Sequence, residues 1–222
     1  MTEKVWQDVD GYYEDLFGLS DPVMEKVLAM SDAGGLPAIQ VSPLQGRLLM
    51  MLAQMHGARR ILEVGTLGGY STIWLARALP PDGSLITLEA ESKHAEVASA
   101  NIARAGFAKI VDLRLGRAID TLPRLEAEGR GPFDIVFVDA DKASIPDYFT
   151  WALKLSRPGA LIIVDNVIRK GAVIEEENPD PNVQGVRRFN EMLAAETRVT
   201  ATCIQTVGAK GYDGFTLALV NN

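Results

Sequence analysis

The spacing of apolar residues along the chain changes character twice. Over residues 1–55 they recur at mixed three- and four-residue intervals, which predicts helices over 3–17, 22–30 and 43–55. Asp21-Pro22 and Ser42-Pro43 supply a cap followed by proline at the first helical position. His56-Gly57 closes the third helix. From Arg60 onward, short apolar runs alternate with longer amphipathic stretches. Strands are predicted at 61–64, 84–89, 111–115, 133–139 and 160–164. Helices at 71–78, 92–105, 118–128 and 148–155 fall between them. Ile135-Val136-Phe137-Val138 is apolar on successive residues, as suits a parallel strand covered on both faces. This alternation predicts an α/β doubly wound sheet with right-handed crossovers.

The tail breaks the alternation. A helix over 182–196 carries Val186, Phe189, Met192 and Leu193 on one stripe. Strands at 200–206 and 215–220, joined by a turn over 208–214, must pair antiparallel because a parallel return needs a longer crossover. The expectation is one domain over 1–222, with a helical segment (1–55) and an α/β core (56–222). Its seven-stranded sheet is mostly parallel and ends in an antiparallel hairpin. Residues 169–181 read as a long irregular loop, either a lid or substrate wall or a solvated acidic loop.

Composition narrows the function. A chain of 222 residues, 47% hydrophobic, suits one domain with a sizeable core. A net charge of −7 weighs against a nucleic-acid partner, which needs a basic face. Cys203 is the single cysteine, so no internal disulfide and no cysteine metal cluster can form. It lies in a predicted strand and is expected to be buried and inert. No signal core opens the chain, and no apolar run approaches the ~20 residues that cross a bilayer. The expectation is a cytoplasmic protein without a membrane partner.

Two stretches carry candidate chemistry. The first is Glu63-Val64-Gly65-Thr66-Leu67-Gly68-Gly69-Tyr70-Ser71, a strand running into a glycine turn and a helix. Gly65, Gly68 and Gly69 let the backbone turn and approach a ligand without a Cβ clash, or else pack helix on strand. The spacing is not that of the dinucleotide fingerprint, so a smaller nucleoside is favoured over a pyrophosphate. Glu89, ending the second strand, can accept both hydroxyls of a ribose. Acidic surroundings suit the cationic S-adenosylmethionine.

The second stretch is Val138-Asp139-Ala140-Asp141-Lys142 together with Val164-Asp165-Asn166. Asp139, Asp165 and Asn166 end neighbouring strands and offer three hard oxygen ligands. That set suits Mg²⁺, with Mn²⁺ or Ca²⁺ as alternatives. Zinc would prefer nitrogen or sulfur, and His56 and His94 are expected elsewhere. Two open positions would take the adjacent hydroxyls of a catechol, with Lys142 as the base.

With these motifs the chain resembles the cation-dependent class I S-adenosylmethionine O-methyltransferases, the caffeoyl-CoA and catechol O-methyltransferase family, most closely a bacterial branch. The first motif matches at 63–71, the second-strand acid at Glu89, and Gly116-x-Ala118 resembles the adenine-side turn. Val-Asp-Ala-Asp-Lys at 138–142 and Asp-Asn at 165–166 match the metal and base motifs. The resemblance implies a Rossmann-like methyltransferase fold. It implies Asp139, Asp165 and Asn166 as metal ligands and Lys142 as the catalytic base. It also implies cofactor contacts from Val41, Glu63, Gly65, Thr66, Ser71, Glu89, Ala118, Asp139 and Asp141, an aromatic small-molecule acceptor, and a homodimer. Two departures fall on the acceptor wall. Arg169, followed by Lys170, stands where relatives often have an aromatic residue, and Ser144-Ile145 replaces a common Asn-Tyr pair. Arg169 and Lys170 would greet an acidic acceptor, a carboxylated catechol or a CoA thioester, or face water. A dinucleotide oxidoreductase and a non-catalytic binding protein on the same fold are the alternatives.

Overall fold

In a computed structural model, which describes residues 2–221, strands β1 (Arg60–Val64), β2 (Ser84–Glu89) and β3 (Val111–Leu115) run parallel, outward from the middle of one sheet. On the other side of β1, β4 (Phe133–Val138) and β5 (Ser156–Asp165) continue it, also parallel. An antiparallel hairpin, β6 (Val199–Gly208) and β7 (Gly211–Val220), completes the order β3-β2-β1-β4-β5-β7-β6. The predicted doubly wound sheet and its reversed tail are therefore present. Strand order switches between β1 and β4, where open α/β sheets hold their ligands.

Helices cover both faces, and the strand residues alternate between them. Ile61, Leu85, Ile135 and Ile163 lie under α2 (Pro22–Ala33), α3 (Pro43–His56), α4 (Tyr70–Ala78) and α5 (Ser92–Arg104). Leu62, Ile86, Val136 and Ile162 lie under α6 (Ala118–Ala127), α7 (Ile145–Leu155) and α8 (Pro181–Ala195). Phe149 of α7 meets Phe189 of α8 edge-on, ring centroids 5.2 Å apart, a contact worth about 1 kcal/mol beyond its burial. The predicted caps form. Asp21 accepts from Val23 N at 2.9 Å and Met24 N at 3.0 Å, and Ser42 accepts from Gln45 N at 3.2 Å. Helix α1 (Glu3–Leu16) contains no buried residue and leaves Val5, Val9, Tyr12, Tyr13 and Leu16 exposed.

Four expectations need correction. Cys203 is exposed, because β6 is the sheet's edge strand and residues 200–207 all face outward. The hairpin turn is not seven residues long. Gly208 pairs with Gly211, so Ala209-Lys210 alone make the turn, with Gly211 at φ 89°. The stretch 169–181 is irregular only over 175–180. Arg169–Ile174 forms 3₁₀ turns kinked at Lys170 and Gly171, and Asp180 caps α8 at its first turn. Helix α7 and β5 each begin earlier than predicted, at Ile145 and Ser156.

One close approach positions the sheet's working edge. Gly65 leaves β1 at φ 99°, and a Cβ there would lie 2.0 Å from the carbonyl oxygen of Asp139. Asp139 N in turn donates to Val64 O at 2.9 Å, and Gly65 N donates to Leu88 O at 3.0 Å. The ends of β1, β2 and β4 are thus laced together. Gly65→Ala should cost about 3 kcal/mol, from the left-handed backbone plus a clash with main chain. Urea unfolding measures this, and a loss below about 1 kcal/mol would show that the turn relaxes.

Candidate active site

A cavity of about 520 Å³ opens at the carboxyl ends of β1, β2 and β4, within the range of small-molecule sites. Gly65, Thr66 and Ser71 line it from the turn after β1, Glu89 from β2 and Ala118 from the start of α6. Asp139, Asp141 and Lys142 enter it after β4, Asn166 and Arg169 after β5, and Val41 just ahead of α3. Three predicted site residues do not reach this wall. Glu63 is fully buried behind Ser71, Asp165 is 4% exposed, and Lys170 faces solvent away from the cavity.

The end of the cavity beside the glycine turn is built around two carboxylates. Glu89 accepts from Leu67 N at 2.7 Å and Thr66 N at 3.2 Å through one oxygen, and from Glu91 N at 3.0 Å through the other. It therefore fixes the turn while its side chain borders the cavity. His94, expected away from the oxygen trio, lines the cavity beside Glu89 with Nδ1 3.5 Å from that carboxylate. Its place near the start of α5 follows from helix docking that spacing alone does not reveal. Glu63 accepts from Ser71 Oγ at 2.7 Å, from Thr87 Oγ1 at 2.7 Å and from Thr72 Oγ1. Burial pushes its carboxyl up to about 7, Asp139's charge adds to the rise, and the three hydroxyls oppose it. Gly65 and Gly68 are required by the protein itself. A Cβ at Gly68 would sit 2.1 Å from Ser31 Oγ.

Beyond β4 the chain forms a charged corner. Lys142 is buried, its Nζ 2.7 Å from Asp139 Oδ1. Asp141 caps the 3₁₀ turn Lys142–Ser144 by accepting from Ser144 N at 3.2 Å, and it takes Tyr148 OH at 2.5 Å. Burial raises the Asp141 carboxyl, but the Ser144 and Tyr148 bonds outweigh it and leave it below its ordinary value. Helix α8 presses on this turn. A Cβ on Gly185 would meet Lys142 O at 2.2 Å. Asp165 accepts from Gln45 Nε2 at 2.7 Å and from Asn166 N at 2.8 Å. Burial first, then the charge on Asp139, pushes Asp165 up to about 7, and Lys142 offsets part of the rise.

This donor set fits a hard divalent cation. Asp139 and Asp165 offer carboxylate oxygens and Asn166 an amide oxygen, and the two carboxylates repel each other in a space from which water is largely excluded. A cation there would offset that repulsion. Gln45 and Tyr148 were not anticipated. Each is a polar residue whose partner lies on another element or a helical turn away.

The fold and the site define a Rossmann-like methyltransferase. A family model described as O-methyltransferase matches residues 18–220. A catechol O-methyltransferase of Niastella koreensis is 54% identical over 220 residues, 99% of this chain and 100% of that protein. An O-methyltransferase from Bacillus cereus, solved in complex with SAH, is 54% identical and superposes with a TM-score of 0.98, covering 99% of this chain and 100% of the other. TomG of Streptomyces achromogenes, an O-methyltransferase involved in tomaymycin synthesis and solved with SAM, is 56% identical with a TM-score of 0.96 over 100% of both chains. This chain belongs to the O-methyltransferase family, and it is an enzyme of that class. The oxidoreductase and binding-protein alternatives fall with that membership.

Glu63 gives the site a pH signature. A carboxyl raised from 4.5 to about 7 keeps its proton longer in the folded than in the unfolded chain. Its contribution is full below pH 4.5 and is lost as pH climbs to about 7, a fall of about 3 kcal/mol. Glu63→Gln should remove that share of the slope and leave the share that Asp165 contributes in the same window. Urea midpoints at pH 5 and pH 8 check it, and equal slopes in both proteins would refute the assignment.

Proposed function

We propose that the enzyme moves the methyl group of S-adenosylmethionine onto one hydroxyl of a vicinal dihydroxy aromatic, with a divalent cation held by Asp139, Asp165 and Asn166. The carrying observation is that Lys142, paired to Asp139, shares one cavity with Asn166 and the glycine turn. Support also comes from the catechol O-methyltransferase relative and from the SAH and SAM held by the two structural neighbours.

Each residue then has a task. Glu89 faces the ribose hydroxyls, Ala118 borders the adenine, and Gly65, Thr66 and Ser71 pass backbone and hydroxyl along the cofactor. Glu63 acts through Ser71, which it holds at 2.7 Å. Val41 closes the cavity from the α3 side, and Asp139 and Asp141 present negative charge to the cationic end. S-adenosylmethionine supplies a sulfonium methyl whose carbon–sulfur bond breaks as the oxygen–carbon bond forms. A cation such as Mg²⁺, or Mn²⁺ or Ca²⁺ in its place, supplies charge that lowers the pKa of a hydroxyl it touches. Lys142 Nζ, once it has given up its own proton and stands as the neutral amine, takes the hydroxyl proton, and Asp139 orients that nitrogen at 2.7 Å. Gln45 and the Asn166 N–H fix both oxygens of Asp165. Catalysis rests on orientation and placed charge.

A labelled-methyl assay on a catechol tests this reading. Activity should need added Mg²⁺ after EDTA treatment. Lys142→Met should lower kcat at least about 100-fold while SAH affinity by calorimetry stays close to wild type. An EDTA-resistant rate would remove the trio from the reaction, and parallel loss of SAH binding would remove Lys142 as base.

The chain 1–222 is read as one catalytic domain, acting in the cytoplasm as a homodimer, with neither nucleic acid nor membrane as partner. The exposed apolar residues of α1, with Ile204 and Val207 on the edge strand, support the dimer. Light scattering should return twice the 24.1 kDa chain mass. A monomer at micromolar concentration would exclude it.

A further inference from the structure

The acceptor side of the cavity carries a cation without an anion. Four carboxylates line the cavity, Glu89, Glu91, Asp139 and Asp141, against the cations Lys142 and Arg169. Lys142 is committed to Asp139 at 2.7 Å. Arg169 is not committed: no ion pair among the described residues engages its guanidinium, and its Nε is buried without a hydrogen-bond partner. The side chain is half-buried at the cavity wall, so its terminal N–H groups are left for an anion arriving in the cavity.

The backbone holds Arg169 in place for such a role. Arg169 has φ 55° and is followed by Lys170 at 56°, conformations that L side chains rarely adopt. Asp213 keeps the segment there by accepting from Ile168 N at 3.0 Å, Arg169 N at 3.1 Å and Gly214 N at 2.9 Å. Arg187 secures the far end through Val173 O at 2.7 Å. Strain kept by this many bonds is characteristic of a binding site. Arg169 stands three residues after Asn166, on the side of the cavity away from Glu89 and the glycine turn. The neighbouring Lys170 faces solvent, so the two basic residues are not equivalent.

We infer that Arg169 anchors a carboxylate on the acceptor ring, so that the preferred substrates are catechols bearing a carboxylate group. This rests on the methyl-transfer reading above. The planar guanidinium presents paired N–H donors that match a carboxylate, whereas an ammonium offers a point charge. Arg169 is a specificity residue here and takes no part in moving the methyl group.

Methyl transfer to 3,4-dihydroxybenzoate, its methyl ester and plain catechol tests the assignment. The ester keeps the ring and both hydroxyls and removes the charge. In the wild type, kcat/KM for the acid should exceed that for the ester at least about tenfold, mainly through KM. Arg169→Met should bring the ratio near one, and Arg169→Lys should restore part of it. Urea midpoints and SAH affinities for each variant monitor the fold and the cofactor side. A wild type that methylates the ester as well as the acid overturns the anchor and leaves the methyl-transfer reading standing. So does an Arg169→Met protein that keeps the full preference. If none of the three compounds is methylated, both readings fall.

Discussion

The contact between Gly65 and the carbonyl of Asp139 governs the architecture of the site. β1 and β4 are hydrogen-bonded neighbours at the switch in strand order, and their ends must diverge to open a crevice. Here they diverge only after one more interlocking step, in which Asp139 N bonds Val64 O and the Gly65 backbone lies against Asp139 O. Any side chain at position 65 would force the two turns apart. The nucleoside turn after β1 and the charged corner after β4 therefore hold a fixed separation, which a methyl transfer between bound groups requires.

Burial of acids is the second constraint. Glu63, Glu89 and Asp165 are all buried at one sheet edge. Isolated, each would be very unfavourable. Each is instead surrounded by donors: three hydroxyls for Glu63, three backbone N–H groups for Glu89, and one amide side chain plus one N–H for Asp165. The donors do not neutralise charge, so Glu63 and Asp165 remain raised toward neutrality while organising their surroundings. Glu63 positions Ser71, Glu89 positions Leu67, and Asp165 joins the start of α3 to the end of β5. The acids are the framework on which the cavity's wall is hung.

Much of this was legible in the residues. Short apolar runs and helical apolar spacing located the seven strands and the helices, and the caps at Asp21 and Ser42 were readable from local chemistry alone. The cavity-lining set was legible because its members sit at strand ends. What was not legible has a common cause. Glu63 lies behind Ser71 because its register opposite Thr87 on β2 turns it inward. Cys203 read as buried because its strand is apolar enough, yet edge position is a property of strand order. Gln45 and His94 depend on how α3 and α5 dock, which is long-range packing. A polar Thr87 inside an otherwise apolar β2 was the local signal that something buried needed a donor.

The two halves of the cavity differ in how they are held, and that difference bears on specificity. Beside the glycine turn the backbone is fixed by buried acids, and after β4 helix α8 presses on Lys142 through Gly185, so a substitution in either place propagates into the core. After β5 the left-handed segment from Arg169 is held chiefly by one half-buried carboxylate, Asp213, on the terminal hairpin. A change in that segment or its tether would alter which acceptor fits without disturbing the sheet beneath. On the proposed reading, acceptor choice is physically separable from methyl-donor binding. The side chain at position 169 can change while the chemistry at Lys142 and Asp139 stays in register.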